Sequence, residues 1–328
     1  MGILDGFSFQ GKFRRGSMNI LVTGGAGFIG SHVVDGYLAE GHEVSVVDNL
    51  STGRKSNLNP HARFFNCDIR DRDALENVFH AGTYDVVNHH AAQTDVRRSV
   101  SDPVYDASVN ILGFLGLLEC CARHRVSKVI LASTGGAVYG EQEVFPANED
   151  HPTRPMSPYG TSKLSSEQYL SYYCITHGLH AVILRYANVY GPRQNPHGEA
   201  GVVAIFTATI LRGDQPVING DGKQTRDYVY VNDVVQANLI ALQCRGFHIF
   251  NVGTGIETNV QEIFELIVKT SGASVEATYG PAKVGEQRRS VLDTGRIARK
   301  FGWLPSVKLE EGLVATVAYL KNEAMGKS

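Results

Sequence analysis

The stretch MNILVTGGAGFIG, residues 18–30, decides how this chain is read. Asn19 to Val22 is a short apolar run of the kind that forms a buried strand. Glycines follow at positions 24, 27 and 30, and an amphipathic helix opens at about Phe28. Lacking a Cβ, Gly24, Gly27 and Gly30 let the backbone approach a pyrophosphate, whose charge is then held by amides at the helix N-terminus. The same glycines also suit a plain tight turn, so the decision rests on what surrounds them.

Working outward, short β-branched runs recur at Glu43–Val47, Val86–His89, Lys128–Ala132 and Ala181–Leu184, separated by longer amphipathic stretches. That alternation predicts parallel strands crossed over by helices, an α/β doubly wound sheet of the Rossmann type. The run Val44-Ser45-Val46-Val47 ends in Asp48, eighteen positions after Gly30. A carboxylate there accepts hydrogen bonds from a ribose diol and repels a 2′-phosphate, which favours NAD over NADP. Arg54 and Lys55, in the following loop, are the opposing invitation to a 2′-phosphate. Cys67-Asp68-Ile69 reads as a strand end from which Asp68 either faces an adenine amino group or caps the turn before Arg70.

After about Asn188 the strand–helix rhythm gives way to glycine and proline punctuation, as in GPRQNPHGEAG at 191–201. The expected organisation is a dinucleotide-binding domain over 18–187 with re-entry at about 228–253, where Val229–Val231 reads as a strand leading into a helix. A smaller α/β substrate-binding domain is expected over 188–227 and 254–328. Residues 1–17 end in Gly16-Ser17 and lack the apolar core of a secretion signal, so they read as an expression leader, with a native basic arm as the alternative.

Bulk composition narrows the function classes. With 43% hydrophobic and 20% charged residues in 328, the chain has enough apolar content for a substantial core. A formal net charge of -2 provides no polybasic surface for nucleic acid or anionic membranes. Five cysteines without a CxxC pair suggest neither a disulfide framework nor a zinc site, and point to reduced thiols in the cytoplasm. No unbroken apolar segment of about 20 residues, the length of a membrane span, stands out. His89 and His90 read as strand-end packing, and no metal site is expected.

The chemistry is concentrated in two places. Ser157-Pro158-Tyr159-Gly160-Thr161-Ser162-Lys163 carries a capping serine and a proline suited to a first helical turn. Tyr159 and Lys163 stand four apart on one helical face, where a cation can lower the tyrosine pKa and make it a general base. A surface tyrosine beside a solvated lysine is the plain alternative, which the glycine turn and Asp48 upstream argue against. STGGAVYG, residues 133–140, places two hydroxyls, Ser133 and Thr134, at the end of a buried strand and then two glycines.

GGAGFIG, VVDNLSTG, STGGAVYG, YGTSK, RYANVYGPRQ and GDGKQTRDYVYV, in this order, resemble the extended short-chain dehydrogenase/reductase family, specifically its nucleotide-sugar group around UDP-glucose 4-epimerase. The resemblance covers nearly everything from Met18 onward. It implies tightly bound NAD, held by Gly24, Gly27, Phe28, Ile29, Gly30, Asp48, Asn49, Asp68, Ile69, Ala91, Ala92, Asn110, Tyr159 and Lys163. It makes Tyr159 the acid/base, Lys163 the anchor of the nicotinamide ribose, and Thr134, or else Ser133, the hydroxyl at the sugar's 4-position. For the nucleotide sugar it implies Asn188, Arg226, Glu286, one of Arg288 and Arg289, and Ser290, with a surface pair to Asp227 as the alternative for Arg226. Lys283 stands where many relatives carry arginine.

By the same resemblance, the 4,6-dehydratases carry an Asp-Glu pair after the threonine and the UDP-xylose-forming decarboxylases a glutamate. Gly135-Gly136 supply neither, which favours 4-epimerisation of UDP-glucose and UDP-galactose. Glycines there leave room for a 4-keto sugar to turn over, or simply allow a tight strand end. Ser290, a small residue at a gatekeeper position, extends the expectation to UDP-GlcNAc and UDP-GalNAc. The alternatives are a UDP-glucuronic acid 4-epimerase, with Arg97, Arg98 or Arg193 facing the carboxylate, a nucleotide-sugar 4-reductase, and a noncatalytic NAD-binding sensor. Relatives imply a homodimer through the Asn110–His124 and Tyr159–Cys174 helices, whose apolar stripes also suit a core.

Overall fold

The computed structural model describes residues 16–196, 201–282 and 287–326. The chain begins β1 (Asn19–Thr23), α1 (Phe28–Ala39), β2 (Glu43–Asp48), β3 (Arg63–Asn66), α2 (Arg72–His80) and β4 (Val86–His89). It continues with α3 (Val96–Ser101), α4 (Pro103–Ala107), a π-helical turn (Ser108–Gly113), α5 (Phe114–Arg123), β5 (Lys128–Thr134), α6 (Gly135–Val138), α7 (Pro158–His177) and β6 (His180–Tyr186). Next come β7 (Asn188–Tyr190), α8 (Val202–Leu211), β8 (Val217–Asn219), β9 (Thr225–Tyr230), α9 (Val231–Ala241) and β10 (Phe247–Val252). The last elements are β11 (Glu257–Asn259), α10 (Val260–Ser271), β12 (Thr278–Gly280), β13 (Arg289–Ser290), α11 (Gly295–Phe301) and α12 (Leu309–Ala324).

Seven parallel strands form the main sheet in the order β10-β6-β5-β4-β1-β2-β3. The order reverses between β1 and β4, so the carboxyl ends of those two strands frame the crevice where such sheets bind ligands. Both faces of the sheet are covered. Ile20, Val22, Val46, Ile130 and Leu184 pack toward α1 and α9, while Leu21, Val47, Val87, Leu131 and Ile183 pack toward the other face, with α5 and α7. Burying each such side chain stabilises the fold by roughly 1.5–3 kcal/mol, which is why the strands read as near-continuous apolar runs. Even Lys128 is buried in this layer, with Nζ donating to the carbonyls of Ala241 and Leu242 at the end of α9, where a helix terminus favours a cation.

Two details differ from the sequence reading. Strand β3 lies at Arg63–Asn66, before Cys67-Asp68-Ile69, because this edge strand is only partly buried and lacks an apolar run. The strand read at Val229–Val231 is β9, Thr225–Tyr230, and it pairs with β7, β11 and β13 in a smaller sheet. The chain returns to the main sheet through α9, packed on α1, and then β10, which pairs with β6. A third apolar cluster, including Phe206, Ile218, Ile263, Phe264 and Leu313, lies beneath the smaller sheet.

One helix is long and apolar on average, although Asp106, Asn110 and Glu119 interrupt it. Pro103–Arg123 runs continuously through α4, the π turn and α5 and is long and apolar enough, by length and composition, to cross a membrane. Half of its apolar window is buried inside the fold, and it brings Asp106 and Asn110 into the interior against α7, which makes it a core helix. All five cysteines are free.

Candidate active site

The glycine turn closes against the loop after β4. Gly24 has φ +71°, and a Cβ on it would stand 2.5 Å from the Ala91 amide nitrogen. A Cβ on Gly30 would stand 2.3 Å from the Gly24 carbonyl oxygen, so the first turn of α1 lies directly on the loop. Gly27 is the N-cap and brings no side chain to cap the helix. The amides of Phe28, Ile29 and Gly30 in that first turn therefore face an uncapped terminus, which suits an anion. At the end of β2, Asp48 Oδ2 accepts from the Ala26 amide at 3.0 Å and Oδ1 from Leu50 at 2.8 Å. Burial raises its pKa while those two bonds oppose the rise. Uncapped amides, a close-approach glycine turn and an oriented carboxylate fit NAD.

Further along this rim, Asn49 Nδ2 donates to Asp68 Oδ2 at 2.9 Å, and Arg70 grips the Asp68 carboxylate through Nε at 2.9 Å and a terminal nitrogen at 2.7 Å. The Arg70 bonds hold the Asp68 carboxyl well below its usual range. Asp68 thus also bonds the Arg70 amide, as its turn-capping reading requires. Ile69 packs against the π turn, where a Cβ on Gly113 would stand 2.9 Å from it.

The π turn gives Asn110 its position. Asn110 Nδ2 donates to the Gln93 carbonyl at 2.9 Å, and Asn110 Oδ1 accepts from the Gln93 amide at 2.9 Å. This reciprocal clamp fixes the Ala91-Ala92-Gln93 loop. Asp106, fully buried one helical turn earlier, accepts from Gln93 Nε2 at 2.9 Å, Asn110 Nδ2 at 3.0 Å and Ser162 Oγ. Ser166 Oγ in turn donates to the Asn110 carbonyl at 2.8 Å. The loop behind the glycine turn is thereby bonded to α7.

Helix α7 begins as its sequence predicts. Ser157 Oγ accepts from the Gly160 amide at 3.1 Å, and Pro158 occupies the first turn. A Cβ on Gly160 would stand 2.8 Å from the Ala137 carbonyl, so α7 presses its start against α6 beside Thr134. Tyr159 is half-buried and Lys163 is buried. The expectation that a cation lowers the tyrosine pKa is not what these surroundings produce. Desolvation raises the Tyr159 pKa, and Asp106 adds to the rise. Lys163 is itself brought down to about 8 by burial, which Glu167 and Asp106 oppose. His89 and His90 are kept neutral, His90 at about 3, mainly by burial and next by Lys163. His89 shares a 2.7 Å hydrogen bond with Thr23 Oγ1, and His90 Nε2 has no partner among the described residues.

The two strand-end hydroxyls separate cleanly. Ser133 Oγ donates to Glu167 Oε1 at 2.5 Å, inside a buried network in which Glu167 also pairs with Arg185 at 2.6 Å and Arg185 bonds the Tyr139 hydroxyl at 3.0 Å. Thr134 caps α6, accepting from the Ala137 amide at 3.3 Å. A Cβ on Gly135 would stand 2.6 Å from Leu292 Cδ1, so that glycine serves close packing. A Cβ on Gly136 would meet Thr134 Oγ1 at 3.9 Å, Ser290 Oγ at 3.9 Å and Asn188 Oδ1 at 4.0 Å, all ordinary distances. Gly136 is thus ringed by two hydroxyls and an amide.

Ser290 is buried and pairs in register with Arg226 between β13 and β9, while Asn188 lies opposite Tyr228 of the same strand. Arg226 does not follow the reading of a surface pair with Asp227. Asp227 is buried and accepts from the amides of Thr254, Gly255 and Leu292. Arg288 holds Asp221 with two bonds of 2.8 and 2.9 Å, and Arg289 holds Glu257 at 2.6 Å over the Phe145 ring. Glu286 and Lys283 lie outside the described residues. Of the arginines considered for a uronic carboxylate, Arg98 stacks on Tyr105 and Arg193 pairs with Asp35 at 2.7 Å.

Asp106, Ser162 and Glu167 escaped the sequence reading. Two had a signal in helical spacing, Asp106 four before Asn110 and Glu167 four after Lys163, whereas Ser162 only adjoins Lys163 in the chain.

A sheet whose order reverses at a glycine turn, with an acidic strand end beyond and a Tyr-Lys helix alongside, defines a dinucleotide-dependent enzyme of the short-chain dehydrogenase type. The profile of the NAD dependent epimerase/dehydratase family matches residues 20–253, and the chain belongs to that family. A protein of Methanocaldococcus jannaschii described as a putative UDP-glucose 4-epimerase is 48% identical over 92% of this chain and 98% of its own. A Thermotoga maritima UDP-glucose 4-epimerase, solved with UDP-glucose, superposes with a TM-score of 0.92 at 50% identity over 94% of this chain and 100% of that one. The Thermus thermophilus UDP-glucose 4-epimerase, solved with NAD, gives 0.89 at 46% identity over 93% and 99% of the two chains.

Proposed function

We propose that this chain is an NAD-dependent 4-epimerase of UDP-hexoses, interconverting UDP-glucose and UDP-galactose. The observation that carries the reading is the surrounding of Gly136, where Thr134, Ser290 and Asn188 converge without a carboxylate among the three. Eliminating water or carbon dioxide from a sugar calls for further acid/base groups. Oxidising and re-reducing one carbon needs a single proton-transfer residue, a hydroxyl and NAD.

The residues that would hold NAD are Gly24, Gly27, Phe28, Ile29 and Gly30 at the diphosphate, Asp48 and Asn49 at the adenosine ribose, and Lys163 at the nicotinamide ribose. NAD supplies hydride uptake and return. Tyr159 Oη takes the proton of the sugar 4-hydroxyl as that carbon is oxidised and gives it back to the epimer, while Thr134 Oγ1 bonds the same oxygen. Asn110 and Asp106 act by holding the 91–93 loop and α7 in register. Gly136 leaves the 4-keto sugar space to present its other face.

Arg226 and Asn188 hold the diphosphate, joined by Arg288 or Arg289 when one exchanges its carboxylate partner for phosphate oxygens. Residues 18–187 with the return through α9 and β10 carry the cofactor, and the remainder of the chain from Asn188 carries the nucleotide sugar. Ser290 supports a second substrate class, since its small side chain leaves space for a 2-acetamido group. We place the enzyme in the cytoplasm as a homodimer through α5, the π turn before it and α7, where Leu112 of the π turn and Tyr172 and Ile175 of α7 are exposed.

The test is to incubate the purified protein, without added cofactor, with UDP-galactose, UDP-GalNAc and UDP-glucuronic acid separately and resolve products by NMR. Formation of UDP-glucose establishes the reaction. No conversion of any of the three, with NAD added, removes it.

A further inference from the structure

Away from the crevice, the outer faces of α2 and α5 bring together three side chains that no step above uses. Glu76 and His80 are four apart on α2 and so share one face, and His124 is the C-cap residue of α5. Glu76 Oε1 lies 2.7 Å from His124 Nε2 and 3.4 Å from His80 Nε2. The three donor atoms all fall within 4.8 Å of one another. We infer that Glu76, His80 and His124 form a binding site for a divalent transition metal of the zinc, nickel or copper type, which staples α2 to the end of α5.

The donor set selects the ion class. Two imidazoles and one carboxylate suit borderline metals and discriminate against magnesium and calcium, which take all-oxygen shells. Ligands about 2.1 Å from a tetrahedral zinc stand about 3.4 Å apart. The Glu76–His80 separation of 3.4 Å already meets that spacing. The 2.7 Å hydrogen bond between Glu76 and His124 needs to open by about 0.7 Å to reach it. His80 is largely exposed, which leaves water free to complete the shell.

The carboxylate is oriented from behind, as metal ligands usually are. Its other oxygen, Oε2, accepts from Arg123 at 2.5 Å and from Cys120 Sγ at 3.4 Å, which turns Oε1 toward the two imidazoles. Cys120 Sγ thus acts as a donor to Glu76. His124 is fixed by packing on Phe79 at 5.3 Å between centroids, and its ring meets His80 edge-on at 5.1 Å. Arg123 opposes a cation at short range, but it engages Oε2 only and its exposed side chain is free to swing outward. The site stands apart from the crevice, and the inference does not depend on the reaction proposed above.

The experiment uses full-length protein with its NAD, free of nucleotide sugar. Zinc binding is followed by calorimetry and the cobalt complex by visible absorption. The expected result is one equivalent of zinc bound, a cobalt d–d band, and a raised Tm. His80→Ala, at an exposed position, and His124→Ala should each weaken zinc at least about tenfold and remove the band. His61→Ala, at another exposed histidine, should leave both unchanged. Absence of binding at 1:1 stoichiometry, or binding and a cobalt band that survive His80→Ala and His124→Ala, overturns the inference.

Discussion

Ser162 Oγ donates a hydrogen bond to Asp106, a fully buried carboxylate whose other oxygen binds Gln93 and Asn110. A single carboxylate therefore joins the helix of Tyr159 and Lys163 to the loop that closes over the glycine turn. A buried charge without full compensation costs several kcal/mol, and here three donors compensate it. The arrangement makes Asp106 a positioning residue whose product is the registration of α7 against the cofactor crevice.

Asp106→Asn keeps the shape but removes the charge and one acceptor. It should lower kcat by about 10- to 100-fold with KM changed little, since small misplacement at a reacting centre is expensive. Steady-state kinetics on UDP-galactose, together with the near-UV spectrum to confirm folding, check this. A change confined to Tm, with kcat intact, would show that the cluster is only structural.

Tyr159→Phe removes the hydroxyl proposed to transfer the proton and leaves the helix start, capped by Ser157, in place. Turnover should fall by about 10³-fold, within the range for losing a general acid/base, while NAD stays bound. Ser133→Ala should be milder in kinetics and harsher in stability than Thr134→Ala. Ser133 belongs to the buried Glu167–Arg185 network, whereas Thr134 faces Gly136. Paired kinetic and thermal measurements on the two variants separate the roles.

The neighbouring glycines should respond oppositely. Gly135→Ala drives a methyl group to 2.6 Å from Leu292, an overpacking that costs roughly 1–3 kcal/mol of stability. Gly136→Val fits its surroundings without a close contact at Cβ but fills the space beside Thr134 and Ser290. It should keep Tm and retain NAD while slowing epimerisation. Thermal melts and turnover numbers for both proteins test the contrast.

The main sheet was legible because its strands are buried on both faces and read as apolar runs, and the glycine turn because close backbone approach demands glycine at fixed offsets. Strand β3 was not legible, being a half-exposed edge whose apolar Phe64 and Phe65 sit between Arg63 and Asn66. Tyr159, Lys163 and Asn110 were found as motif residues. Asp106 was not, because its meaning lies in bonds to Gln93 and Ser162, which are far from it in the chain or on another helix. Glu76 and His80 share a helical face, but His124 lies far from them in the chain, and only the packing of α2 on α5 completes the group. Spacing pointed to a cation beside Tyr159, but desolvation, which raises its pKa with Asp106 adding to the rise, is a property of the folded interior that spacing does not carry.

Ser290→Tyr tests the acetamido reading. Ser290 is buried beside Gly136 and in register with Arg226, so a large ring there occupies the space proposed for the sugar. Activity toward UDP-GalNAc should fall at least about tenfold more than activity toward UDP-galactose, a difference of roughly 1.4 kcal/mol. Equal losses on both substrates would mean that the position does not face the 2-substituent.

Lys163 sets activity against stability. Burial holds its pKa at about 8, below the ordinary 10.5. Between those values the folded chain binds fewer protons than the unfolded one, so this group's contribution to stability rises as pH rises from about 8 to 10.5. Below about pH 8 the full cost of burying the ammonium is present, on the order of 3 kcal/mol. Lys163→Met removes a proposed cofactor anchor and should abolish turnover. The cofactor-free variant should nevertheless melt higher than cofactor-free wild type at pH 7, with the gap closing toward pH 10.5. Melting curves at several pH values measure this directly. A variant that melts lower than wild type at pH 7 would mean that Glu167 and Asp106, the two carboxylates that raise the Lys163 pKa, compensate its charge in full.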